Sequence, residues 1–111
     1  MAAGATIQAE SDDSRPMVKL ETESIDNLVG QRILRLDFLK IDVEGADLGV
    51  LEGAAETICR DRLRLAIACY HRPDDLVTIP GFIADLGVRY RWYLQCSTMT
   101  DLDTVVFGVP D

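Results

Sequence analysis

The 111-residue chain has no apolar run near the roughly 18 to 20 residues needed to cross a bilayer, so an α-helical membrane span is not expected. Its opening, MAAGATIQAE, lacks the basic stretch followed by an apolar one that marks a signal peptide, and the expectation is a soluble, cytoplasmic protein. Basic residues are scarce: 11 Lys and Arg stand against 19 Asp and Glu, a formal net charge of -8. Nucleic-acid binding depends on cations that neutralise phosphates, so nucleic acid is disfavoured as partner or substrate. Cysteine is sparse as well. Cys59, Cys69 and Cys96 are odd in number, far apart and set in apolar segments, which predicts buried core thiols in place of disulfides or a metal site. No internal repeat is present. What remains, 48% hydrophobic and 27% charged residues, is a globular composition of one domain or a piece of one.

Residues 1–16 are small and polar, with Ser11, Asp12, Asp13, Ser14 and Pro16 in turn chemistry, and read as a flexible N-terminal segment ahead of a domain over 17–111. Over 17–23 the alternation of Val18, Leu20 and Thr22 with Lys19, Glu21 and Glu23 predicts a half-exposed strand. Ser24 and Asp26 then suit the start of a short helix through Val29, stopped by Gly30. Residues 36–43, LDFLKIDV, form a compact apolar run that reads as a buried strand entering a turn at Glu44 and Gly45. Helical spacing follows, with Leu48, Leu51, Ala55 and Ile58 inward and Asp47, Glu52, Glu56 and Arg60 outward. A second apolar run, RLAIACY over 64–70, makes a strand–helix–strand succession, which implies a right-handed parallel crossover. Pro73, Asp74 and Asp75 suit the start of another helix, Gly87 its end, and Pro80 is expected to break it in two. Finally YRWYL and TVVFGV, separated by a turn near 100–103, read as two strands of a hairpin.

The most informative residues are Lys40, Asp42 and Glu44, because a period of two puts them on one side of a strand whose Leu39, Ile41 and Val43 face the other way. An unpaired buried charge costs several kcal/mol, so these groups must be paired, lie at the open end of the strand, or act on something. Ligands of open α/β sheets bind beyond the carboxyl ends of the strands, where Asp42, Glu44 and the turn-permitting Gly45 would sit. Two readings stand side by side. In one, Lys40 and Asp42 are a structural pair and Glu44 complements the start of a helix. In the other, Asp42 and Glu44 line a cleft and contact substrate, water or the cationic end of a cofactor, either carboxylate serving as general base. His71, the one histidine, follows the second strand and would emerge at the same sheet edge, as a catalytic residue or as a structural one at a helix entry. Asp42, Glu44 and His71 have metal-ligand chemistry without diagnostic spacing, and no metal is expected. Tyr90, Trp92 and Tyr93 are read as core packing in preference to a stacking platform, and Asp101 with Asp103 as a solvated turn.

The run DFLKIDVEGADLGVLEGAAETI, followed by LRLAIACYHRPDDLVTIPGFIADLG, resembles the C-terminal half of FkbM-family methyltransferases, whose hallmark is a KIDVEG stretch. VKLETESIDNL and TVVFGVP are similar to flanking parts of the family, so the resemblance extends from Val18 to Pro110. It implies an α/β fold: the C-terminal half of a class I, Rossmann-like methyltransferase sheet, with parallel strands, crossover helices and a closing antiparallel hairpin. It implies S-adenosyl-L-methionine as methyl donor and O-methylation of a hydroxyl on a small molecule or glycan. Lys40, Asp42, Glu44 and Gly45 match the hallmark and His71 the position after the next strand; from their own chemistry, Asp42, Glu44 and His71 are expected in catalysis and Lys40, Asp42 and Gly45 at the cofactor.

One departure stands out. No glycine-rich G-x-G turn lies between a strand and a helix, and no acidic residue follows at the distance of a ribose contact. The expectation is therefore a partial methyltransferase domain without its cofactor-gripping half, inactive alone. The alternative is a non-catalytic partner subunit or binding module that completes another chain. Either way the strand over 38–43 would lack a neighbour, an exposed apolar edge that favours self-association.

Overall fold

In the computed structural model, residues 6–8, 16–32, 35–70, 72–96 and 104–111 are described. Parallel β3 (Phe38–Ile41) and β4 (Arg64–Ala68) lie side by side in a four-stranded sheet of order β3-β4-β6-β5. β6 (Val105–Pro110) is antiparallel to both β4 and β5 (Tyr90–Gln95), so β3, β4 and β5 all run one way. The expected parallel pair and closing hairpin are both present, with the second hairpin strand inserted beside β4. β3 forms one edge of the sheet.

The chain between β3 and β4 returns through two short helices, α2 (Asp47–Glu52) and α3 (Ala55–Asp61), where the spacing predicted one. The reason lies in α1 (Ile25–Arg32), which docks into the break. The Asp26 N–H donates to the Gly53 carbonyl at 2.8 Å, and the Asp26 carboxylate accepts the Glu56 N–H (3.1 Å), the Thr57 N–H (2.8 Å) and the Thr57 hydroxyl (2.7 Å). That carboxylate satisfies the orphan donors at the start of α3, where Ala54 supplies no side-chain cap. The inward set becomes Leu51, Ala54, Thr57 and Ile58, with Ala55 only half-buried. Helix α1 itself begins as expected, the Ser24 hydroxyl accepting the Asn27 N–H at 3.1 Å, but it runs past Gly30 to Arg32. Gly30 does not adopt the left-handed conformation that ends helices and stays within the turn.

α4 (Asp75–Asp85) is continuous through Pro80. A proline withholds a single N–H from the helix, and here fully buried Ile79 and Ile83 anchor the turns on either side against the sheet. The core joins Leu51, Ile58, Ile79 and Ile83 of the helices to Ile41, Leu65, Ile67 and Val106 of the strands, so the helices cover one face of the sheet. By strand alternation, the opposite face carries Lys40, Ala66, Ala68, Phe107 and Tyr93.

Further expectations change near the ends. Within the stretch expected to be a flexible N-terminal segment, β1 (Thr6–Gln8) pairs antiparallel with β2 (Lys19–Glu21). β2 is shorter than the predicted strand and exposed on both faces, Leu20 at 60%. Of the cysteines only Cys69 is buried; Cys59 and Cys96 are exposed, and all three are free thiols. Tyr90 and Trp92 do pack against the core, stacked at 5.5 Å between ring centroids, whereas Tyr93 points outward. The turn near 100–103, with Asp101 and Asp103, lies outside the described residues.

Gly108 faces Trp92 across the β5–β6 ladder, and a β-carbon there would come within 2.8 Å of the Trp92 ring and 3.0 Å of the Tyr90 ring. Gly108→Ala is expected to destabilise the chain by about 1–3 kcal/mol, the cost of overpacking a filled site. Urea unfolding followed by Trp92 fluorescence measures it.

Candidate functional site

The loops that leave β3 and β4 meet at one edge of the sheet, because the two strands are parallel and in register, Ile41 opposite Ile67. The loop after β3 turns sharply through two residues of positive φ, Glu44 at 54° and Gly45 at 95°. Only glycine adopts the second value without strain, which explains the residue type at 45. The Val43 carbonyl accepts the Ala46 N–H at 3.2 Å, and the Val43 N–H donates to Asp47 Oδ1 at 3.3 Å. Asp47 is thus a buried residue, 1% exposed, whose carboxylate reaches back into the turn. The outward position that helical spacing assigned to it is corrected: as first residue of α2 it lies over the loop, where its charge complements the helix start.

The loop after β4 repeats the device. Buried Asp75, the first residue of α4, accepts the Arg72 N–H on Oδ2 at 3.2 Å. Cys69 lies between the two aspartates, its N–H donated to the buried Thr104 carbonyl at 2.9 Å. Burial, reinforced by Asp75 and Asp47, pushes its thiol up to about 11, which keeps it protonated and unreactive at neutral pH.

On this frame the loops present an acidic, exposed rim. Tyr70, directly after β4, donates its hydroxyl to Asp42 Oδ1 at 3.3 Å and so bridges the two strand ends. Burial, then Asp42, then Glu44 and Asp47 raise the Tyr70 hydroxyl above its ordinary value, so it holds its proton and acts as donor through the neutral range. Of the residues singled out in the sequence, Asp42, Glu44 and Gly45 come together at this rim. Lys40 lies on the exposed face of β3, two residues back. The difficulty of charges in a buried strand dissolves, since β3 is an edge strand and Asp42 and Glu44 lie beyond its last residue, Ile41. His71 lies outside the described residues. Among the described residues, no group of three or more His, Cys, Asp or Glu is arranged to hold a metal ion, and no helix is long and apolar enough to cross a membrane.

Asp75 stands at a helix start, as its residue type predicts, but sequence reasoning assigned no part in the site to it, to Asp47 or to Tyr70. The two aspartates carried a usable signal, an acid at the first position of a helix that follows an apolar strand. Tyr70 carried none, because a tyrosine ending an apolar run reads as part of the strand.

The left-handed pair generates a prediction with opposite signs at neighbouring positions. Gly45→Ala is expected to cost about 1–2 kcal/mol, the penalty of a β-carbon at positive φ, whereas Glu44→Gly removes such a penalty and is not expected to destabilise. Thermal unfolding of the two variants checks the pair.

Residues 2–90 match the methyltransferase FkbM domain, a span that includes the N-terminal stretch set apart in the sequence. No curated protein matches. Among solved structures, the chain is similar to a methyltransferase FkbM from Methylobacillus flagellatus KT, with 28% identity and a TM-score of 0.75. That likeness covers 96% of this chain and 26% of the other, so the chain spans about a quarter of that protein's length. With most of its residues inside the matched domain, the chain belongs to the FkbM methyltransferase family.

Proposed function

We propose that the chain forms the acceptor side of an S-adenosylmethionine-dependent O-methyltransferase, with a sheet of the class I, Rossmann-like type. The observation that carries this reading is the convergence of Asp42, Glu44 and Tyr70 at the carboxyl ends of two adjacent parallel strands, where open α/β sheets bind ligands. The donor supplies an electrophilic methyl group on a positively charged sulfonium. The rim suits that charge, with Asp42 and Glu44 exposed over buried Asp47 and Asp75. The remainder of such a molecule finds less here, since no glycine-rich turn in this chain joins a strand to a helix.

The geometry supports the following roles. Asp42 accepts the proton of the acceptor hydroxyl, and Tyr70 holds the carboxylate in place through the hydrogen bond to Oδ1. Glu44, at the tip of the strained turn, flanks the sulfonium of the donor, Gly45 lets the backbone approach it closely, and Lys40, two residues back on the face of β3, stands apart from that cationic centre. His71, next to Tyr70 in the chain, is the second candidate for the proton. A small molecule or glycan hydroxyl is the acceptor class, because a carboxylate base matches a neutral hydroxyl nucleophile.

Methyl transfer from labelled S-adenosylmethionine, measured with the chain in the presence of a complementing cofactor-binding half taken from an FkbM methyltransferase, tests the assignment. Asp42→Asn is expected to lower kcat about 10²- to 10⁴-fold, the usual contribution of a positioned base, with unchanged thermal stability. An unaltered kcat removes Asp42 from the reaction.

A further inference from the structure

The end of the sheet opposite the acidic rim has the reverse charge. Where β3 and β4 begin, a cleft of about 470 Å³ is bounded by Arg35, Arg62, Arg64, Asp37, Asp61 and Phe38. Three guanidinium groups gathered in one cleft are unexpected in a chain of net charge -8. The two acids beside them do little to cancel that charge. The Asp61 carboxylate accepts its hydrogen bonds from Arg60, through Nε at 2.8 Å and Nη2 at 2.7 Å, and from the Leu36 N–H at 3.1 Å, and of the three cleft arginines only the charge of Arg35 acts on it. The Arg60 guanidinium holds it down at about 2, so it stays an occupied acceptor over the whole neutral range. Asp37 meets Arg35 at 3.6 Å with both side chains largely in water, an ion pair of little strength. Among the described residues neither Arg62 nor Arg64 takes part in an ion pair.

Arg62 carries a second sign. It is the residue just past α3, at φ 53° and ψ 59°, with its N–H donated to the Ile58 carbonyl. Glycine fills such left-handed positions without penalty, whereas an arginine there is strained. The backbone at this position favours glycine, so the arginine side chain stands there at a cost in conformational energy. Phe38 adds a ring that is 54% exposed at the first position of the edge strand, an apolar surface next to the cations. The acidic rim lies at the far end of β4, five residues or roughly 16 Å away, about two screening lengths at physiological salt, so it does not cancel the local positive field.

We propose that this cleft is an anion site, separate from the acidic rim, that takes a phosphate monoester borne on a planar apolar body. Arg62 and Arg64 bind the phosphate oxygens, Arg35 adds charge, and Phe38 packs against the apolar part. A dianion matches the two guanidinium groups of Arg62 and Arg64 better than a monoanion does, since Arg engages phosphate through paired N–H donors.

Phenyl phosphate is the probe, titrated into the 111-residue chain and followed by backbone amide shifts, with benzoate as the monoanionic control. Binding with Kd on the order of 1 mM, and roughly tenfold weaker binding of benzoate, is expected, the amides of residues 62–64 moving most. Arg62→Gly is expected to weaken phenyl phosphate about tenfold while leaving the thermal midpoint equal or higher. Arg64→Gln, at an exposed strand position, is expected to weaken it similarly without the backbone change. Unmoved amides at 62–64, benzoate binding as tight as phenyl phosphate, or full affinity in both variants would overturn the proposal.

Discussion

Two strands that run in the same direction cannot be joined by a tight turn, so the chain between Ile41 and Arg64 must return across a face of the sheet before β4 begins. That single constraint organises the molecule. It places the helices α2 and α3 on one face, where Leu51 and Ile58 close over Leu65 and Ile67, and it brings the ends of β3 and β4 to one edge. It also separates charge. The residues that start the strands include Arg35, Arg62 and Arg64, and the residues that follow them include Asp42, Glu44, Asp47 and Asp75. One short sheet thereby acquires an acidic end and a basic end.

Each loop at the acidic end is fixed in the same manner, by an aspartate at the first position of the next helix that accepts a backbone N–H of the loop: Asp47 for Val43, Asp75 for Arg72. Both carboxylates are buried, and a buried carboxylate is tolerated where hydrogen bonds and the positive end of a helix meet it. The exposed acids above them, Asp42 and Glu44, are therefore carried by loops tied to the helices that follow, and Tyr70 joins one loop to the other. Pre-positioning of this kind is what a proton-accepting group needs, since misplacement of the reacting atoms by 1 Å can cost 10²-fold in rate.

Much of this was legible in the residues. The apolar runs at 36–43 and 64–70 with a helical spacing between them identify the parallel pair, and the KIDVEG stretch locates both the turn and the family. What the sequence hid arises from contacts between distant segments. The break between α2 and α3 falls at Gly53, a poor helix former, but the group that caps the start of α3 is Asp26, 31 positions before Thr57, and no local pattern points to it. Continuity of α4 through Pro80 depends on Ile79 and Ile83 packing on the sheet, against the local rule for proline. Exposure of Cys59 and Cys96 follows from their places on the outer side of α3 and just past the end of β5, which apolar neighbours in the sequence do not reveal. Asp47 was misplaced because helical periodicity holds for the middle of a helix and fails at its first residue.

The central claim is that these residues form the acidic, acceptor side of a methyltransferase site and do not by themselves grip the donor. Calorimetric titration of S-adenosylmethionine into the 111-residue chain tests it most directly. The account predicts no binding in the micromolar range; a micromolar Kd would contradict it, and would mean that the rim of Asp42, Glu44 and Gly45 holds the whole cofactor without a glycine-rich turn.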